Sequence, residues 1–583
     1  MINKINKIVM SAAAVLLLAS CGDRMDYKEY NVYDKDYIEQ NFTRIGGFMT
    51  NLYNVVDYDF GNFSSGAMLA SASDESEYSQ VGNAIEDFYN GAWSPSNAKE
   101  SLPSGWTKMY QGIATANTFL EEFQTATFSE LELNADYQAQ MHRYKNYQYE
   151  ARFMRAYFYF NLVKTYGGVP LINRVMTADE VNQMTRSSAD DIFKFIISEC
   201  DAIKDLIVAN YSDLGQYALT AEETGRADKL AVLALKARAA LYWASPLFNT
   251  AGDNERWHQA ALYTKELIDA CETRGKGLTA NYEDLWKNNA YNTASIAKEI
   301  IFGRRYSSTS AGDHVVEGYN YPIGIEGGTG GNCPTQNLVD AYDMKNGMPI
   351  SDAASGYDAT NPYVNRDPRL TATIAKNGDV WPTYQSAALQ TYYGGVNAEP
   401  QTNATPTGYY LKKLCNGSIS LASSSTVQNA THMWLTFRMG EFYLNYAEAV
   451  FKYLGSADAT SSEFPMSARE AANKTRQRAG VGEFATGMDN STFWTRYQKE
   501  RMVELAFEGH RFWDVRRWKE ADKFFTSIKE LKLTTTTDAD GNVTGYNYKY
   551  QNVSRQWDDK MYLFPIPQTE RMKNPNLTQN SGW

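Results

Sequence analysis

Cysteine is scarce in this 583-residue chain, with five in all. Apart from Cys21, the others (Cys200, Cys271, Cys333 and Cys415) stand far apart and form no Cys-x-x-Cys pair, which disfavours zinc and thioredoxin-like chemistry. Histidine is equally sparse. His142, His258, His314, His432 and His510 show neither an HExxH motif nor a paired spacing, so no metal site is expected. There is no Gly-x-Ser-x-Gly elbow. Gly327 to Gly331 neither opens a helix after a strand nor precedes a Walker lysine, so no phosphate cradle or nucleotide cofactor is expected. Asp538-Ala-Asp540-Gly541-Asn542 has Lys549 where a calcium loop needs glutamate, and it reads as a turn. Missing motifs do not exclude a glycosidase, because folding can bring its two carboxylates together from anywhere in the chain. Beyond residue 20 no apolar run approaches the roughly 20 residues that a membrane-spanning helix needs. Positive charge is also short, with 56 Lys and Arg against 68 Asp and Glu. The net charge of −12 argues against nucleic acid and anionic lipid as partners.

What is present begins at the first residues. Lys4 and Lys7 form a basic start, and Ile8 to Leu18 is an apolar run interrupted only by Ser11. That length suits the hydrophobic region of a signal peptide. Leu18-Ala19-Ser20-Cys21 resembles a lipobox. The expectation is therefore removal of residues 1–20 and acylation of Cys21, several chains on one cysteine giving firm anchorage to outer-membrane lipid. An ordinary signal peptide with an incidental cysteine is the alternative. Losing Lys4 and Lys7 takes the net charge to −14. Residues 21–36 would form a tether, and its acidic start at Asp23 and Asp26 is compatible with export to the surface.

Hydrophobic residues make up 43% and charged residues 21%, a globular balance. Tyrosine (41) outnumbers phenylalanine (26), and there are 12 tryptophans. Such side chains pair an apolar face with a polar handle, which suits recognition surfaces.

The spacing predicts a mainly α protein. Phe42, Ile45, Phe48, Leu52 and Val55 recur at helical steps, as do Met154, Phe158 and Leu162, and Leu230, Leu233, Ala237 and Leu241. The last of these helices should stop at Ser245-Pro246. Paired helices from about 105 to 305 suggest a helical-repeat scaffold. From about 306 to 432 the chain is loop-rich, then helices are predicted at 434–454, 466–479 and 492–510. Residues 533–550 read as a β-hairpin with Thr/Tyr-rich arms around Asp540-Gly541.

Late segments resemble one family. Arg501 to Trp518 (RMVELAFEGHRFWDVRRW) resembles the signature helix of the SusD/RagB family. Leu563 to Pro567 (LFPIP), Glu570 and Asn574 to Trp583 (NPNLTQNSGW) resemble its C-terminal tail. Arg366-Asp367-Pro368-Arg369-Leu370, the Arg438/Glu441/Tyr443/Ala447-Glu448-Ala449 pattern and Asn473/Arg476/Arg478-Ala479-Gly480 follow the family in kind and order. Glu500, Glu504 and Glu508 recur at four-residue steps among Arg501, Arg511, Arg516 and Arg517, a density that reads as a structural ion-pair network rather than a catalytic pair.

The resemblance implies a SusD-like fold: tetratricopeptide-like helix pairs plus a loop-rich region with a few short strands. It implies one domain over 37–583, with the helical scaffold mainly in 37–305 and 434–530 and a ligand-binding insertion at about 306–432. It further implies a non-enzymatic, outer-surface lipoprotein that binds glycan and sits on a SusC-like TonB-dependent transporter. A RagB-like peptide binder and a non-binding scaffold are the alternatives.

Sugar rings pack their C–H faces on Trp or Tyr, and their hydroxyls need planar polar partners. Two regions offer that mixture. The first supplies Asp74, Tyr89, Trp93 and Asn97, and the second Tyr319, Tyr321, Trp381 and Tyr384, with Tyr392-Tyr393 nearby. Trp93 lies in a Gly/Ser/Pro loop and is expected to be exposed, sharing one concavity with a tyrosine from 319–393. The competing expectations are that Trp93 packs its loop onto a helix and that Asp74 caps one. Trp106, at helical spacing from Tyr110 and Ile113, is expected in the core.

Overall fold

The computed structural model describes residues 35–99, 101–102, 104–218, 225–287, 290–305, 315–422 and 432–583. The expected leader 1–20, the lipidated Cys21 and nearly all of the tether lie outside them, as does His314.

The periodic segments form the expected helices. These are α1 (Phe42–Val55), α2 (Trp106–Glu122), α3 (Tyr137–Tyr166), α4 (Ala189–Ile203), α5 (Lys229–Ala244) and α6 (Asn254–Thr273). Ile45, Met49 and Leu52 are the buried stripe of α1. Ser188 starts α4 through a reciprocal capping box with Asp191, satisfying backbone N–H groups that the first helical turn leaves free. Helix α5 stops where Ser245 turns extended before Pro246.

From α2 to α6 each helix packs on its predecessor. Helix α7 (Met439–Leu454) then packs on α6 and carries α8 (Ala468–Ala479). Stacked neighbours of this kind make a tetratricopeptide-like scaffold. With 44% helix and 10% strand, the protein is mainly α.

Two helix expectations need correction. Residues 434–438 belong to strand β6 (Met433–Arg438), which pairs antiparallel with β2 (Ile300–Arg305). Trp434, Thr436 and Phe437 are residue types that favour strands, and every residue of β6 is buried. Helix α9 (Asn490–Glu504) ends six residues early. Phe507 and Gly509 take positive φ (59° and 75°), reversing the chain before α10 (Arg511–Arg517). A buried phenylalanine in that conformation is strained. The reversal directs the Glu508 carboxylate to Arg438 and Lys413.

The loop-rich part is held by short elements. Strand β1 (Ser76–Tyr78) pairs with β3 (Asn332–Pro334), and β4 (Ile374–Ala375) with β5 (Tyr410–Leu411). Leu338, Tyr342, Leu370, Tyr409 and Leu411 share a core with Val503, Ala506 and Phe507 at the end of α9.

Strands β7 (Ser527–Thr537) and β8 (Val543–Ser554) form a hairpin longer than expected. In its turn Gly541 has φ +84°, and the Asp538 carboxylate accepts from the N–H groups of Asp540 (3.0 Å) and Asn542 (2.8 Å). Leu531 and Leu533 anchor β7 in the shared core, and Tyr548 of β8, opposite Leu533, packs against its edge.

Buried ion pairs bolt the parts together. Glu504 accepts from Arg369 (2.9 Å) and Arg438 (2.7 Å), and also from Arg478. Arg369 further meets Glu500 (2.7 Å) and Asp367 (2.7 Å). The three guanidinium groups hold the Glu504 carboxyl well below the usual carboxylate range against the opposing effect of burial. Removing one partner from such a buried pair costs about 3–5 kcal/mol.

Candidate functional site

The eight expected site residues do not form one concavity. Trp93 is only 3% exposed and stands edge-on to Phe88 (4.7 Å), Phe564 (4.5 Å) and Trp583 (4.9 Å). The expectation of exposure is therefore corrected: the C-terminal tail folds over this loop and turns Trp93 into core. Asp74 is also buried. Its two carboxylate oxygens accept from Arg511 at 2.8 and 2.7 Å, a bidentate pair that leaves little for a ligand. Tyr321 is buried with its hydroxyl donating to Asn416 O (2.7 Å) and Ile419 O (3.1 Å). Trp381 is buried edge-on to it at 6.0 Å.

The other four reach solvent but are spread out. Tyr384 is half-buried, 6.3 Å from Tyr321. Half-buried Tyr319 closes over Gly66, where an added Cβ would meet its ring at 2.6 Å. Tyr89, half-buried, faces the Arg555 guanidinium at 4.1 Å. Exposed Asn97 donates to Asp87 (2.7 Å) and accepts from Lys99 (3.0 Å). Trp106 is core as expected.

The aromatic surface lies instead on the hairpin. Tyr546, Tyr548 and Tyr550 alternate along β8 and so share one strand face. Two of them meet the ring of a tyrosine from the loop-rich part. Tyr392 lies 5.9 Å from Tyr546, and Tyr363 lies 6.1 Å from Tyr548. Tyr357 lies near Tyr550.

These two rungs, with Tyr357 and Tyr550 beside them, make a ladder of six tyrosines, none of them buried. Tyr546 is 41% and Tyr550 38% exposed. Next to the ladder, Tyr393 is 65% exposed, and its N–H donates to Leu533 O (2.8 Å), fixing the loop to β7. A shallow cavity of about 110 Å³ opens beside it, with Glu399, Lys532 and Thr534 in its wall. The alternation Tyr-Asn-Tyr-Lys-Tyr at 546–550 is the sequence signal for this surface, and the expected site residues did not include it.

A larger cavity, about 490 Å³, lies elsewhere, between α2 and the C-terminal tail. Its wall includes Tyr110, Asn117 and Asn574, whose polar atoms are already engaged. Tyr110 donates to Pro170 O, Asn117 to Ile172 O and Arg174 O, and Asn574 to Val181 O and Met184 O.

Clustered acids are likewise occupied. Glu448 accepts from Arg517 (2.6 and 2.7 Å) and Trp518 (2.8 Å), and its carboxyl is held down to about 2. Among the described residues no group of three or more His, Cys, Asp or Glu could hold a metal ion.

Comparison with known proteins gives a consistent outcome. Residues 298–583 match the family described as the SusD family, and residues 26–241 match "Starch-binding associating with outer membrane". A SusD-like protein of Formosa agariphila is 22% identical over 605 aligned residues, covering 99% of each chain. A solved SusD-like protein of Bacteroides fragilis shares 25% identity with a TM-score of 0.74, covering 94% of this chain and 98% of its own. A second B. fragilis structure, titled as a SusD-like carbohydrate-binding protein, shares 25% identity with a TM-score of 0.72, covering 93% and 100%.

Proposed function

The chain belongs to the SusD/RagB family, and from that premise we propose that it captures oligo- or polysaccharide at the cell surface and delivers it to a SusC-like TonB-dependent transporter. The observation that carries the reading is the row of tyrosines at the margin between the hairpin and the loop-rich part, where Tyr393, Tyr546 and Tyr550 reach solvent. Tyrosine rings offer C–H-binding faces and hydroxyls together, which is what a sugar presents in return.

The protein acts by binding and not by bond cleavage. Glu504 and Glu508, the acids most easily paired for catalysis in the sequence, are buried in ion pairs with arginines. A lipid on Cys21 would keep the protein at the outer face of the outer membrane, beside the transporter. Lid-like opening would admit the ligand, and the transporter would supply the energy of uptake.

Affinity electrophoresis against a panel of neutral and acidic polysaccharides, with calorimetry against a peptide digest, tests the reading. Retardation by at least one polysaccharide is expected. Binding of peptides alone, or of nothing, would overturn it.

A further inference from the structure

We infer that a polar cavity inside the scaffold receives the end of a neutral glycan: one terminal sugar unit, held by its hydroxyls between Lys164 and Asp57. This rests on the glycan reading and adds a second site to it, built from none of the tyrosines of the row. The cavity, about 70 Å³, lies where α3, α5, β6 and α10 meet the loop 57–59. Its wall includes Asp57, Lys164, Arg238, Tyr242, His510 and Trp513. Asp57 and Lys164 are half-buried, so solvent reaches them.

The polar groups of this wall are largely unspent. Lys164 and Asp57 attract each other but stand too far apart to pair directly. Asp57 Oδ1 accepts from Tyr157 and from Asn161 (3.1 Å), which leaves Oδ2 open. The Lys164 ammonium lies 5.1 Å from the Trp513 ring and 5.5 Å from that of Phe160. Burial pushes this amine down to about 8, against the opposing effect of Asp57. Tyr242 is 4% and His510 8% exposed. Among the described residues neither the Tyr242 hydroxyl nor the His510 imidazole has a hydrogen-bond partner. Burying polar groups without partners is costly, and several of them around one cavity call for a polar guest.

The charges select the guest. Arg238 is committed to Glu441, and Glu508 to Arg438 and Lys413. Asp59 accepts from the N–H groups of Leu69 (2.7 Å) and Gly61 (3.3 Å). His510 is kept neutral by burial and by the arginines and Lys164 around it. Lys108 adds a further positive field at Asp57. An anion would meet Asp57 and Asp59, and a cation would meet Lys164 and Arg238. A pair of neighbouring sugar hydroxyls suits both sides: one accepts from the ammonium, and the other donates to Asp57 Oδ2. Tyr242 and His510 can each donate or accept. At roughly 10–15 Å³ per water, the cavity has room for about five waters. That admits the hydroxyl edge of one ring but not a chain running through, so the guest is an end unit.

The test is calorimetry on the whole mature protein with trisaccharides cut from a neutral polysaccharide that the panel retains. Lys164→Met and Asp57→Asn should each weaken binding at least about tenfold, as losing a hydrogen bond to a charged group does. Together they should lose little more than either alone, because one ligand bridges both groups. O-Methylation of the end units should weaken wild-type binding by a similar factor.

Should a variant fold poorly, reductive methylation of the wild-type lysines, read by mass spectrometry, gives a second readout. The trisaccharide should shield Lys164. Wild-type affinity in both variants, or no shielding of Lys164, overturns the end site and leaves the glycan reading standing. Shielding by acidic sugars alone, or by peptides alone, overturns the ligand class. No binding of any glycan by the wild type removes both.

Discussion

Many buried carboxylates among the described residues have a guanidinium partner, and Glu75 is one without a bond to any. It is 1% exposed and sits next to Asp74, which takes both arms of Arg511. Burial and the neighbouring Asp74 charge push its carboxyl from 4.5 up to about 8, against the weaker pull of Arg511 and Lys413. A carboxyl raised in the folded state favours folding fully below its unfolded value of 4.5, and that contribution is lost as pH rises towards 8. Glu75→Gln should therefore match the wild type near pH 4.5 and be more stable by about 3–5 kcal/mol at pH 8. Urea denaturation at the two values checks it, and an equal difference at both would contradict it. Glu448 has the opposite sign: its stabilisation is present above 4.5 and is lost as pH falls through about 2. The arginine-rich signature was legible as structure because so many opposite charges lie so close in sequence. Asp74 was not legible, because Arg511, its partner, lies 437 positions away.

At the level of elements, the loop carrying Trp93 shows how a local pattern misleads. Gly91, Ser94, Pro95 and Ser96 read as a surface loop, and the loop does lie near the surface. Its tryptophan nevertheless turns inward, because the tail from Phe564 to Trp583 supplies a second aromatic layer above it. Trp93→Ala should lower stability by about 3–5 kcal/mol while leaving glycan affinity of the folded protein unchanged. Thermal melting and calorimetry on the same preparation separate the two effects, and weakened binding with an intact melting temperature would restore Trp93 to the site. The hairpin was legible as a hairpin, since Asp540-Gly541 and β-favouring arms suffice for that. Its role was not. The alternation of tyrosines in β8 is visible in sequence, but Tyr357, Tyr363 and Tyr392 come to it from loops whose course only tertiary packing decides.

At the level of the whole molecule, the expected boundary between helical scaffold and loop-rich insertion is a change of texture that the packing crosses. Arg369 in the insertion, itself paired with Asp367, joins Glu500 and Glu504 of α9, and Lys413 joins Glu508. The two parts also share an apolar core. Calorimetric heating should accordingly give one cooperative transition for both, and two resolved transitions would show that the insertion unfolds on its own. The same rigidity reaches the ladder. Four of its rings lean on one another in two pairs before any ligand arrives, so their rotamer freedom is lost in folding and not at the moment of capture. Fixing a flexible side chain at an interface costs about 0.5–1.5 kcal/mol. A surface spared that cost can hold a chain through a few weak contacts and release it as readily, which is what handing a cargo onward demands.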